Sequence, residues 1–208
     1  MLVVVTNPPA MSIINKPIIF NEKRVELTKQ YIKDHYDLSV NSIEIDPKMI
    51  VLHWTADNDF NSSYHYFYEP LLNGRSDIQK ASHLNVSAHF MIKRDGQIYK
   101  LMPDNVMARH VIGLNYSAIG IENVGGQNSS SNLTKEQLLS NVLLIEYLTQ
   151  KYPEIEYLIG HHQYQEFEDH PLWLENESSY RTTKYDPGDA FMQEIHTKVE
   201  KLNLKSHP

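Results

Sequence analysis

Short apolar runs alternate along the chain with longer segments of helical periodicity. Three largely apolar runs have the length of a strand and lie at residues 49–54, 117–124 and 157–160. Runs of this kind are typical of strands that are buried on both faces of a sheet. Residues 134–150 carry the clearest helical pattern, and Thr134 and Gln137 predict a capping box at its start. A strand, a helix and a strand in this order indicate a crossover unit within a mixed sheet.

The remaining predicted elements complete a single α/β domain. They are helices over residues 22–35 and 189–202, a short helix near 62–72 inside a polar segment at 57–85, and loops over 127–132 and 162–183. Asp95-Gly96 lies between two apolar runs and predicts a β-hairpin over residues 86–102, because this dipeptide readily adopts the backbone angles of a tight turn. We therefore predict an α/β fold, a single domain with a central mixed β-sheet flanked by helices.

Length and composition fit one globular domain without a membrane span. The 208 residues are enough to bury a substantial core. We expect an extended N-terminal lead-in over residues 1–20, which contain three prolines, and a domain over residues 21–208. The formal net charge of −7 argues against nucleic acid and anionic membranes as main partners. No apolar run approaches the ~20 residues that span a bilayer, and the first residues lack the basic flank of a signal peptide.

The histidines are the first candidates for chemistry. Because the chain has no cysteine, any metal must be held by histidine, aspartate or glutamate. His53 and His161 each end a short apolar strand. Ligands of parallel and mixed sheets bind in the crevice beyond the strand ends, so these two side chains could meet at one metal ion. His162 should point the other way, where it either supports the metal ligands or packs against the core. His89 lies within a strand and should be buried and neutral. The histidines without supporting context are His35, His65, His83, His170, His196 and His207.

Three charged residues have both an ordinary and a functional interpretation. Asp186 precedes Pro187-Gly188 and, by spacing alone, is a turn or helix-capping aspartate. Glu122 lies inside an apolar strand, where a carboxylate is costly to bury without a partner or a purpose. A salt-bridged structural glutamate and a functional carboxylate therefore both remain open. Lys184 by itself is a solvated surface lysine.

Five short motifs occur in the order in which one enzyme family has them. They are Ile50-Val51-Leu52-His53-Trp54-Thr55, Val86-Ser87-Ala88-His89-Phe90 with Arg94-Asp95-Gly96, Ser117-Ala118-Ile119-Gly120-Ile121-Glu122, Gly160-His161 and Lys184-Tyr185-Asp186-Pro187-Gly188. In these motifs the chain resembles the N-acetylmuramoyl-L-alanine amidases of the amidase-2 family, over roughly residues 45–200. Each motif is weak alone, but the set in family order is a specific signal.

The resemblance implies a role for several residues. The implied roles are a Zn²⁺ site held by His53, His161 and Asp186, catalysis by Glu122 and Lys184, and substrate binding by Arg109, His110 and Asn115. Arg109 stands where the family usually has tryptophan, so the local contact with the substrate should differ. The 25 positions from His161 to Asp186 are more than compact cytosolic members have. We expect this longer segment, with Trp173 and Tyr180, to form one wall of the groove.

The resemblance also implies a reaction and a substrate. The reaction is zinc-dependent hydrolysis of the amide between N-acetylmuramic acid and L-alanine in peptidoglycan or muropeptides. The alternative is a non-catalytic peptidoglycan-fragment binding protein on the same fold, although such members lose zinc ligands that this chain keeps. An unrelated zinc peptidase lacks support, because no His-Glu-x-x-His sequence is present. We expect a monomer that is periplasmic or secreted, with the cytoplasm as the alternative location.

Overall fold

Six strands form one mixed sheet in the computed structural model, which describes residues 11–72, 82–126 and 132–208. The strands are β1 (Ile13–Asn15), β2 (Met49–Trp54), β3 (Phe90–Ile92), β4 (Ile98–Lys100), β5 (Ala118–Asn123) and β6 (Tyr157–Gly160). Their order across the sheet is β1-β4-β3-β5-β2-β6. The hairpin strands β3 and β4 pair antiparallel, whereas the other neighbouring pairs are parallel. Strand β2 therefore lies between β5 and β6, one strand in from the edge of the sheet.

Helices pack around this sheet. They are α1 (Glu22–Tyr36), α2 (Phe60–Tyr68), α3 (Lys135–Lys151) and α4 (Asp189–Lys198), with 3-10 helices at His161–Phe167 and Glu200–Leu202. The Asn21 side chain caps α1, and Thr134 and Gln137 form the predicted capping box at the start of α3. No helix in the described ranges combines the length and the apolar character needed to cross a bilayer.

Alternation along β2 divides the core into two layers. Ile50 and Leu52 pack with α3 and α4 on one face of the sheet. Met49 and Val51 point to the opposite face, where they join a separate apolar cluster. Because successive side chains of a strand point to opposite faces, His53 projects on the side of Met49 and Val51, away from α3 and α4. The alternation of side chains along β2 therefore places His53, the first candidate metal ligand, on the face of the sheet opposite to α3 and α4.

The observed elements confirm the predicted α/β fold with its central mixed sheet. Strands β2, β5 and β6 occupy the three apolar runs, and α1 and α3 match their predicted ranges within two residues. The predicted hairpin is present, but its paired strands are short, because only three residues of each strand form the ladder. The helix predicted near residues 62–72 lies slightly earlier, where the Asp59 side chain caps its start.

Three segments differ from the sequence-based expectation. Residues 11–20 are extended, as expected of a lead-in, yet Ile13–Asn15 pairs with β4 and Ile18 is buried. This part of the chain therefore packs as an edge of the sheet. The expected loop at 162–183 begins with the first 3-10 helix, and the last predicted helix ends at Lys198. Residues 1–10, 73–81 and 127–131, on which parts of the lead-in and loop predictions fall, lie outside the described residues.

Candidate metal centre

Three buried side chains converge at the ends of β2 and β6. His53 Nδ1 lies 2.9 Å from His161 Nδ1 and 3.3 Å from Asp186 Oδ2. His161 Nδ1 lies 3.0 Å from the same carboxylate oxygen. Among the described residues, these three form the one group of histidine and acidic side chains close enough to hold a metal ion. The structure therefore brings together the three predicted ligands from distant parts of the chain.

Local geometry explains how Asp186 reaches the two histidines. A Cβ on Gly160 would lie 2.6 Å from the His162 ring and 2.9 Å from Pro187, so the residue before His161 has to be small. The His162 backbone N–H and ring Nδ1 each lie 3.0 Å from the Asp186 carbonyl oxygen, and both donate to it. His162 thus supports the metal centre, as predicted, by holding the backbone of Asp186 against the end of β6.

Protonation of the cluster suits metal binding. Burial, opposed by the nearby Asp186 carboxylate, lowers the pKa of His161 to about 4, so its ring is neutral at pH 7. Burial disfavours ionisation of Asp186, but His161 and His53 outweigh it and hold the pKa of this carboxyl well below its usual range. Neutral imidazole and ionised carboxylate are the forms that coordinate metals.

Glu122 lies beside the cluster on the neighbouring strand. In the parallel pairing of β2 and β5, His53 is directly opposite Glu122, so both side chains leave the sheet on the same face. Glu122 is only 8% exposed, and its Oε2 atom has no hydrogen-bond partner in the part of the chain that the structure describes. Burial raises the pKa of Glu122 to about 7, with Asp186 adding to the rise and His53 and Lys184 opposing it. None of the described residues forms an ion pair with this carboxylate, in contrast to the salt-bridged structural glutamate that the sequence left open.

A cleft of about 630 Å³ opens over these residues. Its floor contains His53, Glu122, His161 and Asp186, and Lys184 is part of its lining. Lys184 is half-buried and close enough to affect the pKa values of Glu122 and His161. A partly apolar cleft with a few converging polar groups is typical of a small-molecule or peptide site.

Arg109, predicted to contact the substrate, lines the cleft but its guanidinium is largely occupied. The Arg109 side chain is 3% exposed and donates to the carbonyl oxygens of Ser82 and Leu84 and to the Tyr180 hydroxyl. Its cation also lies 5.3 Å from the centre of the Tyr31 ring. Arg109 therefore holds together several pieces of the cleft wall.

Asn115 and His110 also line the cleft. The Asn115 side-chain oxygen accepts from the backbone N–H groups of His110 and Val111, both at 2.8 Å, and its amide donates to the Tyr36 hydroxyl. The His110 ring contacts His53, with 3.0 Å between His110 Nδ1 and His53 Nε2. Burial and the neighbouring histidines lower the pKa of His110 well below its usual value, so this ring is neutral.

The long segment after His161 supplies one wall of the cleft, but not through both expected aromatic residues. Tyr180 lines the cleft, together with Thr182. Trp173 is not among the described lining residues, because its ring packs against Gly113 and stacks on Tyr164 at 6.1 Å. Helix α2 also contributes to the cleft lining, for example through Tyr66, and the sequence did not predict this. A helical pattern reveals which face of a helix is apolar but not which cavity that helix borders.

Comparisons with known proteins identify the family of the chain. The Amidase_2 family model, described as N-acetylmuramoyl-L-alanine amidase, matches residues 44–189. The amidase LysC from Clostridium intestinale URNW has a similar structure, with a TM-score of 0.54 and 24% identity over 94% of this chain and 100% of that one. A selenomethionine derivative of AmpD has a TM-score of 0.50 and 25% identity, covering 74% of this chain and 84% of that one.

A human protein with a similar fold was solved in complex with a muramyl pentapeptide. This structure, PGRP-IBETAC in complex with glycosamyl muramyl pentapeptide, has a TM-score of 0.51 and 17% identity, over 77% of this chain and 89% of that one. A search of curated protein sequences gave no match. The family model covers well over half of the chain and spans all three candidate ligands. The chain belongs to the N-acetylmuramoyl-L-alanine amidase family.

Proposed function

We propose that this protein is a zinc-dependent N-acetylmuramoyl-L-alanine amidase that hydrolyses peptidoglycan or muropeptides. The observation that carries this proposal is the convergence of His53, His161 and Asp186 in the lining of one cleft, beside Glu122. One oxygen of the Glu122 carboxylate has no hydrogen-bond partner among the described residues. Family membership supports the choice of bond, the amide between N-acetylmuramic acid and L-alanine.

The ligand set fits zinc. Zinc binds histidine nitrogen and carboxylate oxygen at roughly 2.0–2.2 Å, and in a tetrahedral site such ligand atoms lie about 3.3 Å apart. The three ligand atoms here are separated by 2.9, 3.0 and 3.3 Å, so a small shift of side chains would accommodate the ion. Three protein ligands are also the number that a catalytic zinc site uses, which leaves a position for water or substrate.

Glu122 is the proposed proton carrier of the reaction. When bound, zinc would polarise the scissile carbonyl group and activate a water molecule for attack. The Glu122 carboxylate would accept the proton of this water and donate it to the nitrogen of the leaving L-alanine. Its neighbourhood suits this role, because its Oε2 atom is buried without a partner and its pKa of about 7 lies near the working pH.

Lys184 is the proposed stabiliser of the developing negative charge. Its position in the cleft lining, two residues before Asp186, would bring an ammonium group to the carbonyl oxygen of the tetrahedral intermediate. Removal of one oxyanion donor typically lowers turnover by about 10²–10³. Substrate binding by Arg109, His110 and Asn115 stays a prediction, and the hydrogen bonds of Arg109 and Asn115 favour an indirect contribution in which they shape the wall.

Mass spectrometry of reaction products tests the proposed activity. The protein would be incubated with intact peptidoglycan and, separately, with anhydro-muropeptide, each with and without a chelator. The expected products are a free stem peptide that begins with L-alanine and a glycan that keeps its lactyl group, and the chelator should abolish both. Products cut at another bond, or cleavage that survives complete removal of metal, would contradict the proposal.

The alternative of a non-catalytic fragment-binding protein makes the opposite prediction in the same assay. Such a protein would bind the muropeptide, measurable by calorimetry, and release no stem peptide. A location outside the cytoplasm also stays a prediction, which fractionation of the producing cells would test.

A further inference from the structure

The ring of His110 links a metal ligand to the backbone of β5. Its Nδ1 atom lies 3.0 Å from Nε2 of His53, and its Nε2 atom lies 3.2 Å from the carbonyl oxygen of Ala118. The rings of His53 and His110 meet edge to face, with 5.1 Å between their centres. Both ring nitrogens of His110 are thus engaged within the protein, and neither is left to bind a substrate.

These contacts determine which nitrogen of His53 is free. A carbonyl oxygen can only accept, so the hydrogen of the neutral His110 ring must sit on Nε2 and point at Ala118. The Nδ1 atom of His110 is then an acceptor, and the hydrogen between the two rings belongs to His53 Nε2. A neutral His53 therefore presents a bare Nδ1, the atom that faces His161 and Asp186.

Two neighbouring residues, Gly120 and Asn115, hold the His110 ring in this position. A Cβ on Gly120 would lie 2.7 Å from Cγ and Nδ1 of His110, so the ring can approach β5 only because residue 120 is glycine. The backbone of His110 is fixed by the buried Asn115 side chain, whose oxygen accepts the His110 N–H. Gly120 and Asn115 thus both help to position the His110 imidazole.

We propose that His110 is a positioning residue of the metal centre, which fixes the tautomer and ring orientation of metal ligand His53. This inference rests on the proposed zinc site, and it gives His110 a different role from the direct substrate contact that the family resemblance implies. Outer partners of metal-bound histidines typically matter, because their loss lowers metal affinity by about 10–100-fold.

Zinc affinity of matched variants tests the role of His110. His110→Leu removes the acceptor for His53, whereas His110→Asn places an amide oxygen where Nδ1 was. Competition with a chromophoric chelator should give a zinc Kd that is about 10–100-fold weaker in His110→Leu and largely restored in His110→Asn. Equal affinity of wild type and a folded His110→Leu variant would overturn the inference. So would an equal loss in both variants.

A second variant keeps the ring and changes only its place. Gly120→Ala retains His110 but adds a methyl group where the ring sits, so it should weaken zinc binding as well. His35→Leu, which removes another buried histidine on α1, controls for general loss of packing and should keep wild-type zinc affinity. If His35→Leu weakens zinc binding as much as His110→Leu, the effect is one of stability and the positioning role is refuted.

Nitrogen NMR of the histidine rings reads the tautomer directly. In the metal-free wild-type protein labelled with ¹⁵N-histidine, His53 should carry its hydrogen on Nε2, and this preference should disappear in His110→Leu. A hydrogen on Nδ1 of His53 in wild type would refute the inference even if the protein binds zinc and cleaves its substrate. Failure of the wild-type protein to bind zinc would instead refute the proposed function itself.

Discussion

A buried carboxylate oxygen without a hydrogen-bond partner is costly. Within the described part of the chain, Glu122 has such an oxygen beside the candidate metal ligands. The cost is explained if the carboxylate works on a substrate. Burial raises its pKa to about 7, which leaves the group able both to accept and to donate a proton near neutral pH. A structural glutamate would instead be expected to have an ion-pair partner.

Glu122→Gln separates catalysis from metal binding. The amide keeps the size of the side chain but cannot accept the proton of water, so turnover should fall by about 10²–10⁴. Zinc content, measured by elemental analysis, should stay at one ion per chain, because Glu122 is not one of the three clustered ligand groups. Asp186→Ala is the matched comparison and should lose zinc as well as activity. Near-normal turnover of Glu122→Gln would remove this residue from the mechanism.

His89 is buried and neutral, as the sequence predicts. Its Nε2–H donates to the Val106 carbonyl oxygen at 2.8 Å, and its Nδ1 accepts from the Gly120 N–H at 2.9 Å. A proton on Nδ1 would face another donor. Burial lowers the pKa of His89 to about 4, against about 6.5 in an unfolded chain.

This shift predicts how stability depends on pH. The contribution of His89 to stability is fully present well above pH 6.5, because His89 is then neutral in both the folded and the unfolded state. Between pH 6.5 and 4 the unfolded chain binds a proton that the folded protein refuses, so stability is lost as the pH falls, by up to about 3 kcal/mol. Urea unfolding at several pH values would measure this slope in metal-free protein. A His89→Gln variant, which keeps the other buried histidines, should show a smaller slope; an unchanged slope would contradict the assignment.

At the scale of elements, the sequence could predict the strands and which residues follow them. Apolar runs gave β2, β5 and β6, and the alternation of side chains explains why His53 and Glu122 share one face. It could not predict strand β1, because the three residues of an edge strand carry too short a pattern to be distinguished from an extended tail. The 3-10 helix after β6 could not be predicted either, because such a short helix has no strong periodicity in the sequence.

The candidate site also combines features that the sequence could predict with features that it could not. The metal ligands could be predicted because each belongs to a motif, but the contact between His110 and His53 joins residues 57 positions apart on different elements. Such a hydrogen bond depends on tertiary packing, here on the space left by Gly120. The hydrogen bonds of the Arg109 guanidinium could not be predicted for the same reason. Two of its acceptors are backbone carbonyl oxygens, which any sequence would supply, and another is the hydroxyl of the distant Tyr180.

Arg24 connects helices α1 and α2. Its side chain is 1% exposed and donates to the carbonyl oxygens of Ile19, Phe67 and Tyr68, the last two at the C-terminal end of α2. A cation at that end also interacts favourably with the helix dipole. Because α2 carries part of the cleft lining, Arg24 indirectly supports the wall of the site.

Arg24→Met should therefore destabilise the protein. The substitution keeps an apolar stem but leaves buried carbonyl groups without donors, which should cost roughly 3 kcal/mol. For a chain of this size we expect Tm to fall by about 6–12 °C in calorimetry. Lys23→Met, an exposed neighbour on α1, is the control and should change stability by less than about 0.5 kcal/mol. A shift as small as that of the control would show that the Arg24 hydrogen bonds contribute little.

At the scale of the whole molecule, the core is formed by apolar packing on both faces of the sheet and includes none of the metal ligands. The fold should therefore persist when metal is removed, in contrast to small zinc domains that unfold without it. Bound zinc should still add stability, because an ion that binds only the folded state shifts the unfolding equilibrium.

Removal of zinc should lower Tm without unfolding the protein. With free zinc at about 100 times its Kd, the stabilisation is about 2.7 kcal/mol, which corresponds to roughly 5–10 °C for a chain of this size. Calorimetry before and after chelation measures the shift, and far-UV circular dichroism should stay unchanged. Asp186→Ala should show no shift on addition of zinc. Collapse of the circular dichroism signal after chelation would contradict the prediction.

The pairing of β2 with β6, which follows much later in the chain, has a consequence for the protein during its synthesis. His53 is synthesised well before its partners, because His161 and Asp186 follow it by 108 and 133 residues. A nascent or prematurely terminated chain lacks two of the three ligands. It should therefore be unable to capture the ion or cut a substrate, so hydrolytic activity would arise only after Asp186 has been synthesised.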